Sequence, residues 1–104
     1  MNPKVSVIIT TYRNPSVLPR SIGGVLNQTF ADWELIVVYD GPADEETKKI
    51  IAAYAGRDSR IRPLLEIPHF GGPARSRNAG VAASRGEYVA ILDDDDEWLP
   101  EKLE

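Results

Sequence analysis

The sequence predicts an α/β protein, a doubly wound and mainly parallel sheet of about four strands with helices on both faces. Short β-branched apolar runs alternate with segments of helical period, in the order β-α-β-α-β-α-β, and the connections between them are short. The runs are nearly continuous in apolar character rather than alternating, as strands buried on both faces are. At 104 residues the chain fits one domain with one modest core.

Val5 to Thr11 (VSVIITT) is the first such strand, followed by a polar turn, Tyr12-Arg13-Asn14-Pro15-Ser16. Leu18, Ile22, Val25 and Leu26 recur at helical spacing. Ser16 is suited to cap that helix and Pro19 to sit in its first turn, while Gly23-Gly24 implies bending or close packing. Trp33 to Tyr39 (WELIVVY) is the second strand, stopped by Asp40-Gly41-Pro42. A second helix is expected over Ala43 to Ala55, with acids first and lysines later, as the helix dipole favours, and Gly56 as its stop. Ile61 to Ile67 is a strand that Pro63 assigns to an edge. A glycine-rich loop, His69 to Pro73, opens a third helix over Ala74 to Ser84, ending at Gly86. Glu87 to Leu92 (EYVAIL) is the fourth strand, and Leu99 to Glu104 reads as the first turn of a further helix.

Composition narrows the function classes. A content of 42% hydrophobic and 27% charged residues is that of an ordinary globular protein. No apolar run has bilayer-spanning length, and Val5 begins a strand where a signal peptide would need a basic segment and an apolar one. The absence of cysteine excludes a disulfide framework and a thiolate metal site, and points to the cytoplasm. A net charge of -4 disfavours nucleic acid as a partner. A phosphate ligand would be held where helix N-termini, arginines or a bound cation reverse the local potential.

In sheets of this kind ligands bind beyond the carboxyl ends of the strands, so the loops around Tyr12, Asp40, Gly71 and Asp93 share one rim. Asp93-Asp94-Asp95-Asp96 follows a buried strand directly. A solvated acidic loop is the plain reading. At that place, however, the mutual repulsion of the carboxylates is most simply offset by Mg²⁺ or Mn²⁺, which favour one or two carboxylates plus phosphate oxygens. Asp40 is either the cap of its turn or an acceptor for a base N–H, and Tyr12 either a rim aromatic or a stacking surface for that base. Arg75 and Arg77 could hold phosphate or pair with the aspartates. The loop GGPARSRNAG is neither a Walker loop nor a dinucleotide fingerprint. His69, with no second imidazole and no triad motif, is given no role.

The segments VSVIITTYRN, VLNQTFADWELIVVYDGPAD and ARSRNAGVAASRGEYVAILDDDDEWLPEKLE resemble, in order, the blocks of family 2 glycosyltransferases. The resemblance covers essentially the whole chain. It implies the Rossmann-like, nucleotide-binding half of the GT-A fold, with its metal-binding Asp-x-Asp motif. By that resemblance Thr10 and Tyr12 line the nucleobase, and Asp40 bonds it as the second of an Asp-Asp pair whose first member is Tyr39 here. Arg77 and Asn78 match an Ala-Arg-Asn block in which Ser76 replaces the alanine. Asp95 would ligate the metal, with Asp93 and Asp94 near the ribose and just behind the metal. Pro42 and Arg13 depart from the serine and asparagine usual at their positions.

The implied reaction is transfer of a sugar, with inversion, from a nucleoside diphosphate sugar (UDP- or dTDP-linked) to the hydroxyl of an acceptor glycan or lipid-linked sugar. The family's catalytic base lies well beyond Asp-x-Asp, and the sequence has nine residues after Asp95, so 1–104 is expected to be an incomplete donor-binding part, inactive alone. A non-catalytic nucleotide-binding module is the alternative. A response-regulator-type phospho-acceptor would want acids after its first strand, where Thr11-Tyr12-Arg13 stands. The edge at Glu87 to Leu92, with Trp98 and Leu99 adding apolar surface, is expected to promote self-association.

Overall fold

The computed structural model describes residues 3–11, 16, 18–42, 45–67, 72–93, 98 and 102–103, and only the backbone of 40–42, 65–67, 72–77 and 93. Seven elements follow in the expected order: β1 (Val5–Thr11), α1 (Leu18–Leu26), β2 (Trp33–Pro42), α2 (Glu45–Arg57), β3 (Ile61–Ile67), α3 (Gly72–Ala83) and β4 (Tyr88–Asp93). The four strands form one sheet in the order β3-β2-β1-β4, and every pairing is parallel. Among the described residues β3, which contains Pro63, is at one edge of this sheet and β4 at the other.

Local limits differ from the sequence expectation at several places. Helix α2 runs through Gly56 to Arg57, so that glycine is not its stop. Helix α3 begins at Gly72 rather than Ala74, β4 is shifted one residue later, and β2 continues past Asp40 to Pro42. Beyond Val38 the β2–β3 register becomes irregular, which accommodates the turn-forming Asp-Gly-Pro inside a paired strand. Of the expected C-terminal helix, residues 102 and 103 form a turn.

Strand alternation divides the core into two layers. Val5, Val7, Ile9, Trp33, Leu35, Val37 and Leu92 face α1 and α2, meeting Leu18, Ile22, Val25 and Ile51. Ile8, Ile36 and Val38 form the smaller opposite layer, beneath α3. Helix α3 lies very close there. A Cβ built on Gly80 would sit 2.6 Å from Ile8 Cγ2 and 3.2 Å from Val38 Cγ2.

A charged cluster ties the amino ends of the strands together. The Glu34 carboxylate, almost wholly buried on β2, accepts hydrogen bonds from Ser6 Oγ (2.6 Å), Arg62 Nη1 (2.6 Å) and the Arg85 backbone N–H (2.7 Å). Arg62 also donates to the Ala83 carbonyl at the end of α3, and the Gly86 N–H donates to Ser6 Oγ at 2.8 Å. A Cβ on Gly86 would lie 2.7 Å from the Ser6 backbone nitrogen, so only glycine lets the α3–β4 loop reach this cluster. Beside it, Arg60 lies 3.7 Å over the Trp33 ring and pairs with Asp58 through Nε and Nη2.

Two predictions follow from these contacts. Gly80→Ala overpacks α3 against Ile8, which is fully buried and cannot move aside, and should lower stability by about 1–3 kcal/mol. Gly23→Ala on α1, where nothing lies within 4 Å of the new methyl, should raise it by about 0.4–1 kcal/mol. Urea midpoints measured for both variants should move in opposite directions.

The second concerns acid. Burial raises the Glu34 pKa, but the hydrogen bonds from Ser6, Arg85 and Arg62 outweigh it and hold the group below its ordinary value of 4.5. A depressed carboxyl contributes stability above its unfolded pKa and loses it as pH falls through the folded one. Asp58, lowered from 3.8 first by the Arg60 hydrogen bond, acts in the same sense. Glu34→Gln should therefore cost roughly 1–3 kcal/mol near neutrality, through donors left facing an amide. The same variant should show a shallower loss of stability below pH 4.5 in an acid titration followed by circular dichroism.

Candidate functional site

In a parallel sheet all carboxyl ends emerge on one side, and register decides which residues meet there. Thr10, half-buried near the end of β1, is paired with Val38 of β2 on one side and with Asp93 of β4 on the other. Thr11 is paired with Tyr39, so Asp40 stands one residue beyond. The backbone thus brings Thr10, Asp40 and Asp93 to one rim around the end of the central strand. Neighbouring strands are about 4.8 Å apart, so Asp40 and Asp93, on either side of β1, are separated by roughly 10 Å at the backbone.

The other sequence-derived residues divide in two. Arg77 lies in the second turn of α3, whose first residue, Gly72, follows the carboxyl end of β3, and Asn78 beside it is exposed. Tyr12, Asp94 and Asp95 lie outside the described residues, as do Arg13 and His69. The expected metal ligand therefore has no described geometry. Among the described residues no three His, Cys, Asp or Glu groups gather as a metal site. Tyr39, which precedes Asp40, is buried at 1% exposure.

An open pocket of about 380 Å³ lies at the opposite end of the sheet, bordered by Trp33, Glu34, Arg60, Arg62 and Arg85. Its chemistry is already committed to the fold. Arg60 is held by Asp58 and by the Ala31 carbonyl, and Glu34 is saturated by Ser6, Arg62 and the Arg85 N–H. Sequence reasoning did not single out these groups. The available signal was polarity inside buried strands: Ser6 in VSVII and Glu34 in WELIVV are register partners on β1 and β2.

With this geometry in place, the likeness to known proteins is specific. Residues 6–104 match the family model described as "Glycosyl transferase family 2". An uncharacterized glycosyltransferase of Methanocaldococcus jannaschii is 42% identical over 103 residues, which cover 98% of this chain and 35% of that protein. The UDP-Glc:alpha-D-GlcNAc-diphosphoundecaprenol beta-1,3-glucosyltransferase WfgD of Escherichia coli is 38% identical over 100 residues, 96% of this chain and 38% of that one. The chain thus spans little more than a third of the length of these relatives. The crystal structure of S. aureus TarS 1-349 in complex with UDP superposes with a TM-score of 0.86 at 28% identity, covering 96% of this chain and 30% of that one.

Proposed function

Because the chain belongs to glycosyl transferase family 2, we propose that its carboxyl rim binds a nucleoside diphosphate sugar, UDP- or dTDP-linked, as the donor for an inverting sugar transfer. The observation that carries this reading is the register around β1, which sets Thr10 between the strand ends bearing Asp40 and Asp93. A nucleoside laid across the end of β1 would span that gap. Its base meets Asp40, with Thr10 and Tyr12 beside it, and its ribose lies toward Asp93 and Asp94. Asp40 accepts an N–H from the base, a directional bond strengthened by the carboxylate charge. Arg77 supports the rim on the side where α3 begins.

Carboxylates of the Asp93–Asp95 run suit a hard cation such as Mg²⁺ or Mn²⁺, with Asp95 as the ligand. Such a cation, when bound, stabilises negative charge on the leaving diphosphate. The acceptor hydroxyl oxygen forms a bond to the anomeric carbon as the bond to the diphosphate oxygen breaks. The electron pair leaves with the nucleoside diphosphate, and the hydroxyl proton passes to a general base, for which none of the residues named above is a candidate. A glycan or lipid-linked sugar is the acceptor class, supported by the name of the E. coli relative. We place the reaction in the cytoplasm, in keeping with a cysteine-free chain. No described helix is long and apolar enough to cross a membrane.

Calorimetric titration with UDP tests the donor site. Affinity should rise in the presence of Mn²⁺, and Asp95→Ala should abolish that rise. Equal affinity with and without the cation would remove Asp95 from its proposed role.

Asp40→Asn keeps the turn-forming capacity of the side chain but loses its charge. It should weaken UDP binding by about 1.5–3 kcal/mol, the worth of a hydrogen bond to a charged group, with little change in the urea midpoint. Unchanged UDP affinity in this variant would make Asp40 a turn residue only.

A further inference from the structure

Gln28 follows the end of α1 closely, and only 7% of it is exposed. The last carbonyls of a helix lack partners within the helix and need donors from elsewhere. At the end of α1 the Asn27 N–H donates to the Gly23 carbonyl, and the Gln28 N–H to the Val25 carbonyl. The Gly24 carbonyl between them accepts from Gln28 Nε2 at 3.1 Å. Capping α1 uses only one end of that amide. At the other end Gln28 Oε1 accepts the Leu103 N–H at 3.0 Å, across 75 residues of sequence.

That second bond lies where the chain returns from the acidic run. Trp98 and Leu103 are both partly buried against the apolar layer that contains α1. Trp98, expected from the sequence to add bare apolar surface, is thus packed, which corrects the expectation. Leu92, at 1% exposure near the carboxyl end of β4, belongs to the same layer. The chain is therefore fixed to one layer before Asp93-Asp94-Asp95-Asp96 and again after it. Apolar contacts of Trp98 and Leu103 alone tolerate small offsets. A buried planar amide that donates to one segment and accepts from another does not, since both bonds leave one rigid group.

We propose that Gln28 is a positioning residue of the donor site. By holding Leu103 to the end of α1, it fixes the path of the chain that leaves the acidic run, and so the carboxylate that takes up the cation. That role rests on the reading of Asp95 as the cation's ligand, proposed above. Gln28 acts from the segment between α1 and β2 and touches neither nucleotide nor cation. A chain anchored in advance loses less conformational freedom when the cation binds, and preorganisation of this kind appears as affinity.

Titration with UDP, with and without Mn²⁺, reads the effect as the ratio of the two affinities. Gln28→Leu keeps the side chain's bulk and removes both of these hydrogen bonds. It should lower the ratio by about five-fold or more while metal-free UDP affinity is unchanged, and amide exchange at Leu103 should accelerate. Leu103→Pro removes the N–H from the other side, leaves α1 intact, and should lower the ratio in the same way. It decides the matter if Gln28→Leu does not fold. Ile51→Val, which loosens the same layer from α2, should lower the urea midpoint and leave the ratio at the parent value. Equal affinities in the parent would overturn the reading of the rim, and this proposal with it. A metal-dependent parent whose ratio survives Gln28→Leu or Leu103→Pro, or falls equally in Ile51→Val, would overturn this proposal alone.

Discussion

The register of this sheet depends on one buried carboxylate. Glu34 receives donors from β1, from β3 and from the loop that delivers β4, so one group fixes three chain segments relative to β2. A strand advances in steps of fixed length, and a shift of one residue exchanges its two faces. Holding the strands at their amino ends therefore determines which residues meet at the far ends. The pairing of Thr10 with Asp93 is set, in mechanical terms, by contacts a whole strand length away. Apolar contacts alone specify this less tightly, because Val, Ile and Leu pack acceptably in more than one offset. Hydrogen bonds to a buried charge do not tolerate such slippage.

The two faces of the sheet serve different ends. The layer under α1 and α2 is broad, contains the larger side chains and takes in Trp98 and Leu103. The layer under α3 is narrow, and the helix backbone almost touches Ile8 at Gly80. That proximity draws α3 over the two central strands. The helix also begins next to the carboxyl ends, which makes its first turns part of the rim.

Much of this fold was legible in the sequence because it rests on short-range pattern. The apolar runs VSVIITT and WELIVVY marked strands buried on both faces, and Pro63 marked β3 as an edge before any pairing was known. What was not legible was long-range. Polarity inside a buried-strand run is the one local sign of Glu34; what it bonds was hidden, since its partners stand 28 and 51 residues away. Gly56 resembled a helix stop, but α2 has enough packing through Ile51 and Tyr54 to carry the helix past it. Of the candidate site, Thr10, Asp40 and Asp93 stand at one rim, and that much is countable from the strand ends in the sequence. Tyr12, Asp94 and Asp95 lie outside the described residues, and their roles rest on the sequence and its resemblance to a family.

The two tryptophans occupy different surroundings and serve as separate optical markers. Trp33 is buried at the amino end beneath the Arg60 guanidinium, with no hydrogen-bond acceptor for its indole N–H. Trp98 is partly buried and only five residues beyond the last residue of β4. Trp33 lies under a guanidinium and is almost wholly buried, whereas Trp98 is partly buried against the apolar layer that contains α1. Emission from Trp33 therefore follows the integrity of the buried ionic cluster, whereas emission from Trp98 follows its docking on that layer. With each indole replaced in turn by phenylalanine, the remaining one resolves one event from the other, with no dye attached.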